Sequence, residues 1–131
     1  MRYEKSCGFV LIKDNQALLL KHRSGNHWDF CKGHVEANES ELETALREVK
    51  EELNGQVEPI AGFRETIEYS PKPNTEKLVV FFLGYFSGEI KVQSEEIIEA
   101  QWFDFDEVYD QLTFIENKKV WLKALNHIHA K

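Results

Sequence analysis

Three carboxylates crowd the run Arg47-Glu48-Val49-Lys50-Glu51-Glu52. Glu48 and Glu52 are four residues apart and Glu48 and Glu51 three, spacings that bring side chains onto one face of a helix. Like charges at these spacings each cost an exposed helix roughly a few tenths of a kcal/mol. Glu51 and Glu52 also fall toward the C-terminal end, where the helix dipole disfavours negative charge. Helix stability therefore does not select the cluster. Two arrangements can offset it. Arg47 and Lys50 can screen the carboxylates as a solvated face, the commoner use of a charged helix surface. Alternatively, a hard divalent cation can sit among them, since Mg²⁺ takes oxygen ligands, few from protein and the rest from water and substrate phosphate.

The element that must position these groups is legible from periodicity. Leu42, Ala45, Leu46, Val49 and Leu53 recur at steps of three and four, one apolar helical face. Asn38 with Glu41 reads as a capping box at the start, and Asn54-Gly55 as a left-handed stop, which predicts a helix over about residues 39–53. Before it, Cys7–Lys13 and Ala17–Leu20 read as apolar strands joined by an Asp14-Asn15 turn, His22–His27 as a loop, and Trp28–Lys32 as a short extended piece. After it, 57–68 reads as extended with a break at Gly62, 70–74 as a stiff loop, 78–86 as a central strand and 100–103 as a short strand. Asp104 or Asp106 caps a short helix through Leu112. A last amphipathic helix is expected over 117–129, with Val120, Leu122, Ala124, Leu125 and Ile128 turned inward in part.

Length and composition bound the function. The 131 residues show no repeat or linker, so one domain over 1–131 is expected. A formal net charge of -7 disfavours a protein that holds nucleic acid or anionic membrane on a basic surface. It leaves a polyphosphate substrate open, because divalent cations invert the local field. No apolar run approaches the ~20 residues that span a bilayer. Cys7 and Cys31 fit neither a disulfide framework nor a zinc site, so two reduced thiols in a cytoplasmic protein are expected, and no signal peptide is read at Met1-Arg2-Tyr3-Glu4-Lys5.

From Gly33, five residues lead to Glu39 and seven more to Arg47-Glu48-Val49-Lys50-Glu51-Glu52-Leu53-Asn54. This resembles the Nudix box: Gly, five residues, Glu, seven residues, Arg-Glu, an aliphatic, any residue, Glu-Glu, any residue, Gly and a further aliphatic. Gly33, Glu39, Arg47, Glu48, Glu51 and Glu52 match at fixed gaps, with Val49 at the aliphatic site. The end departs from the pattern. The family's glycine falls on Asn54, which still tolerates the left-handed turn, and the next aliphatic falls on Gly55, so that contact is lost or passes to Val57. The resemblance implies an α+β fold, the Nudix-type α/β/α sandwich with a mixed β-sheet, with the box as a loop-helix-loop. It implies Mg²⁺ or Mn²⁺ held by Glu48, Glu51 and Glu52 with the Gly33 carbonyl, Arg47 orienting a carboxylate, and Glu39 fixing the loop. The implied reaction is attack of water on a phosphorus of a nucleoside diphosphate linked to another group. Glu52 and Glu96 are the candidate bases, and Glu96 a candidate further ligand.

The run His27-Trp28-Asp29-Phe30-Cys31-Lys32-Gly33-His34-Val35-Glu36 resembles a segment of the asymmetric diadenosine tetraphosphate hydrolases within that family. Gly62-Phe63, Tyr69, Lys77, Glu96 and Trp102 follow in similar order. That resemblance implies a small-molecule nucleotide substrate, cut to ATP and AMP. Lys32 and Lys77 would contact polyphosphate, His34 a phosphate or a bound water, and Tyr69 with Phe114 would sandwich an adenine. Trp28 and Trp102 are expected in the core. The subfamily's proline before Lys-Gly is Cys31 here, which softens the loop and sets a thiol of possible reactivity beside the box. The box fits equally a pyrophosphohydrolase of RNA 5′ ends or nucleoside triphosphates, although the acidic charge disfavours RNA. A nucleotide-binding regulator without turnover is the non-enzymatic alternative, disfavoured because every box carboxylate is present. The sequence leaves the oligomeric state open, with a monomer favoured.

Overall fold

The computed structural model describes residues 1–130. Strand β1 (Arg2–Lys13) is an unusually long apolar run, and the structure explains why. Its alternate side chains enter two different cores, Cys7, Phe9 and Leu11 on one face and Val10 and Ile12 on the other. A strand covered on both faces must be apolar at successive positions rather than alternating. β1 runs parallel to β7 (Thr75–Ser87) and antiparallel to β2 (Gln16–His22) and β4 (Cys31–His34). β3 (Trp28–Asp29) and β8 (Ile97–Asp104) pair with β2, and β5 (Gln56–Pro59) and β6 (Glu65–Tyr69) with β7. The eight strands form one mixed sheet.

Helix α1 (Glu41–Leu53) covers one face through Ala45, Val49 and Leu53. The other face is covered by α2 (Phe105–Gln111) through Val108 and α3 (Ile115–His129) through Val120, Trp121 and Ala124. This is the expected α/β/α sandwich in the α+β class. Among the described residues no helix is long and apolar enough to cross a membrane.

Several boundaries move, for local reasons. Ser40, not Asn38, caps α1: its hydroxyl accepts the Glu43 N–H while the Glu43 carboxylate accepts the Ser40 N–H. Asn38 instead turns the chain at φ 71°, and Glu39 lies ahead of the helix. At the other end Asn54 takes the left-handed conformation, φ 60°, and donates to Lys50 and Val49 carbonyls. A side chain at Gly55 would collide with the Phe86 ring, so an aromatic from β7 fills the place of the box's last aliphatic, alongside partly buried Val57. Helix α3 starts two residues earlier than periodicity suggested, and Leu122 points to solvent, 49% exposed, while Trp121 takes the core position. Trp28 and Trp102 are only partly buried and pack edge-on against Phe103 and Phe86. Cys31 is fully buried in β4, and burial drives its thiol pKa well above the ordinary value, so the thiol is unreactive rather than exposed to chemistry. Cys7 is buried too, and both cysteines are free.

Candidate active site

Strand β4 and helix α1 meet at Gly33. A Cβ there would fall on the Glu48 carboxylate, so only glycine lets the helix carry this side chain flat against the strand. Glu52, one turn on, faces the same way. Both line a cleft of about 570 Å³, together with Gly33 and His34 of β4. Glu51 does not line it. It is largely exposed and paired with the Arg47 guanidinium at 3.2 Å.

Arg47 ties the loop before the helix to the helix itself. Its Nε and Nη2 donate to Glu39 at 2.6 and 3.0 Å, Nη2 also to the His34 carbonyl at 2.9 Å, and Nη1 reaches Glu48 at 3.3 Å. Glu39 further accepts from the Glu36 N–H and the Thr44 hydroxyl. The hydrogen bonds from Arg47, above all, hold the Glu39 carboxyl well below the usual range. This is a bidentate, multiply shared pair, unlike an isolated surface salt bridge.

The cleft carboxylates are under the opposite stress. Burial, then repulsion from Glu48, pushes Glu52 up to about 8. Burial likewise raises Glu48. Glu52 Oε2 is buried with no hydrogen-bond donor. An orphaned buried carboxylate oxygen beside a second carboxylate costs free energy in the protein alone. A divalent cation with oxygen ligands would relieve both burial and repulsion, so the donor set fits such an ion.

The same cleft is also lined by Lys32, Lys77, Tyr69, Glu96 and Phe114. Tyr69 of β6 stands opposite Lys77 of β7 in the register. Lys77 is pulled below its ordinary pKa by burial and by Lys32. Burial is the largest single influence on Lys32 and would lower it, but Asp29 at 3.3 Å together with Tyr69 and Glu52 turns the net shift upward. Glu96 is exposed on the segment before β8, and its carbonyl accepts the Arg23 N–H at 2.8 Å, which fixes the loop on the far side of the cleft. Phe114, just ahead of α3 and 49% exposed, tilts against His27 with ring centroids 5.1 Å apart.

Of the site residues singled out from sequence, all but Glu39, Arg47 and Glu51 line this cleft, and the Arg47–Glu39 pair holds the helix side of it. The cleft also contains residues to which sequence reasoning gave no role: His22, His27, Asp29 and Asn117. His27 and Asp29 sit inside the run that carried the subfamily resemblance. An acid within an apolar stretch was a usable signal there, whereas nothing local marks Asn117. His22, His27 and Asp29 bring potential metal-ligand atoms within 4.8 Å of one another. The two imidazoles are stacked, 11° from parallel, so their in-plane lone pairs run side by side instead of converging, and Asp29 is engaged by other donors. Burial takes His22 down to about 4, leaving a neutral ring.

A family model described as the NUDIX domain matches residues 2–125. The chain is 35% identical to the Sus scrofa bis(5′-nucleosyl)-tetraphosphatase [asymmetrical], over 88% of this chain and 89% of that protein. It is also 35% identical to the NAD-capped RNA hydrolase NudC of Mannheimia succiniciproducens, over 78% of this chain but only 37% of that one. Among solved structures, a C. elegans Ap4A hydrolase in a binary complex superposes with a TM-score of 0.84 at 23% identity, covering 98% and 99% of the two chains.

Proposed function

As the chain belongs to the Nudix family and is a hydrolase of phosphoric anhydrides, we propose that it cuts diadenosine tetraphosphate asymmetrically, to ATP and AMP. The observation that carries this reading is a single cleft with a carboxylate pair, two lysines and two aromatic rings along its wall. A substrate with a polyphosphate chain and a base has a counterpart for each of these. Similarity to the tetraphosphatase over nearly the full length of both chains supports the same choice.

Glu48 and Glu52, with the Gly33 carbonyl and Glu96, would hold Mg²⁺ or Mn²⁺, and Glu51 would join them on exchanging its Arg47 pairing for the ion. When bound, such an ion withdraws charge from the phosphate oxygens and eases attack by water. The chain's own residues do the rest. Lys32 and Lys77 bind and orient the polyphosphate, with His34 at the edge of the same wall. Tyr69 and Phe114 present aromatic faces to the base. Glu52 accepts the proton of the attacking water, with Glu96 the alternative base. Arg47 acts through Glu48 and Glu39, which it holds in place.

Incubation with Mg²⁺ and diadenosine tetraphosphate, followed by chromatography, tests the proposal. ATP and AMP in equal amounts are expected. Two ADP, or no turnover while another nucleotide is cut rapidly, would overturn it. A second reading, hydrolysis at an RNA 5′ end, is favoured by the similarity to the RNA-cap hydrolase. It runs against a net charge of -7. Triphosphorylated and NAD-capped oligoribonucleotides in the same assay decide between them by relative kcat/KM.

A further inference from the structure

Asp29 poses a problem in a cleft read as binding polyphosphate. It is 3% exposed and negatively charged in a place where an anion is to lie. Its position is nonetheless strongly held. Oδ1 accepts the Phe30 N–H at 2.6 Å and the Asn117 amide at 2.9 Å, while Oδ2 faces the Lys32 ammonium at 3.3 Å. A carboxylate only accepts, so it fixes which way the Asn117 amide points. That choice leaves Asn117 Oδ1 buried without a donor. The bond to Asp29 is thus made at the expense of pairing for the other half of the amide.

We infer that Asp29, supported by Asn117, is a positioning residue that holds the Lys32 ammonium in one orientation at the cleft wall. The inference rests on the proposed contact of Lys32 with phosphate. A lysine side chain is long and flexible, and its ammonium has three donors. The ion pair with Asp29 at 3.3 Å anchors the group and leaves donors for substrate. The anchoring is done before substrate arrives, so less freedom is lost in reaching the reactive geometry. The carboxylate also cancels much of the lysine's charge. Asp29 therefore trades ground-state attraction for orientation, and its removal should separate kcat from KM.

The same stretch is stitched to the segment leading into α3. The Trp28 N–H donates to the Thr113 hydroxyl at 2.9 Å and the Thr113 N–H to the Trp28 carbonyl at 3.4 Å. With the Asn117 bond, these seat Asp29 on a helix on the opposite side of the cleft from α1.

The test is a double-mutant cycle on diadenosine tetraphosphate with Mg²⁺. Asp29→Asn keeps the shape and an acceptor for Phe30 but removes the charge. Its kcat is expected to fall about tenfold while KM falls rather than rises, a combination that a partly inactive preparation does not produce. Lys32→Met should lower kcat/KM by more than tenfold, and adding Asp29→Asn to it should change kcat by less than about twofold. If Asp29→Asn is silent, or lowers kcat equally in both backgrounds, Asp29 does not act through Lys32. If Lys32→Met is itself silent, the reading of Lys32 as a phosphate contact fails first and takes this inference with it. A variant-free check covers poor folding of Asp29→Asn. In wild-type protein, ¹⁵N relaxation of the lysine ammonium groups should show Lys32 ordered on the nanosecond scale. A freely rotating Lys32 would overturn the inference.

Discussion

At one end of the cleft, Glu48 and Glu52 stand on successive turns of α1, pressed on β4 and flanked by the Arg47 pairs. At the other, Tyr69 and Phe114 come from separate elements and are 38% and 49% exposed. The first end is rigid and electrostatically stressed, with a carboxyl raised to about 8. The second is open and has little local strain to relieve. Groups that act on a developing charge need fixed placement, because their contribution depends on alignment at the reacting atoms. A stacking face tolerates looser placement, because every base offers a flat surface. Perturbing the two ends should therefore change different kinetic constants.

The largest effect is expected at the rigid end. Glu52→Gln should lower kcat by about 10²-fold or more with little change in KM, measured on the preferred nucleotide. Unchanged turnover would remove Glu52 from its role. Gly33→Ala should follow, with roughly tenfold or greater loss of kcat/KM, because its methyl displaces the Glu48 carboxylate. If activity and the Mg²⁺ concentration for half-maximal rate both stay at wild-type values, the close approach of strand and helix is unimportant. At the open end, Tyr69→Ala or Phe114→Ala should raise KM about five- to tenfold and leave kcat within about twofold, in keeping with exposed stacking. A kcat effect larger than the KM effect would erase the distinction between the ends.

The smallest effect is on stability, and its sign distinguishes the ends as well. In metal-free protein Glu52 keeps its proton in the folded state up to about pH 8, while an unfolded glutamate loses it near the ordinary value of 4.5. Between these values the folded state binds more protons, so stability falls as pH rises from about 5 to 8. Glu52→Gln should flatten that slope in thermal melts with chelator present. Mg²⁺ should raise Tm by several degrees more at pH 8 than at pH 6, because it competes with a proton for the same carboxylates. An equal shift at both pH values would place the ion elsewhere. Asp29→Asn lies between the ends, and its expected kcat loss without a KM rise would extend the rigid region as far as Lys32.

How much was legible follows the same division. Gly33, Glu39, Arg47, Glu48 and Glu52 lie within one short strand, the loop after it and one helix, where fixed gaps in number become fixed gaps in space. Their pattern could be read directly. Lys77 and Tyr69 could be named only through resemblance, and that they face each other across a strand pair emerged from the register. Asn38 and Ser40 are both good capping residues, so local pattern alone does not choose Ser40. The side chain that meets Glu43 is decided by a positive φ at Asn38 that a local pattern does not reveal. Glu51 was grouped with its neighbours by spacing, yet Arg47 draws it off the cleft face.

By itself the sequence determined the elements whose causes are local: the apolar face and left-handed stop of α1, the box spacing, and the continuous apolar run of β1 that demands cover on both faces. Helical and strand periods are properties of neighbouring residues, so they survive without any knowledge of the fold. Only the tertiary structure decided which carboxylate is buried without a donor, that Cys31 is sealed in a sheet, and that Asp29 meets Asn117 of α3. Burial, pKa and hydrogen bonds between distant residues depend on what packs against a group, and that is set by the sheet order and by the helices on either side of it.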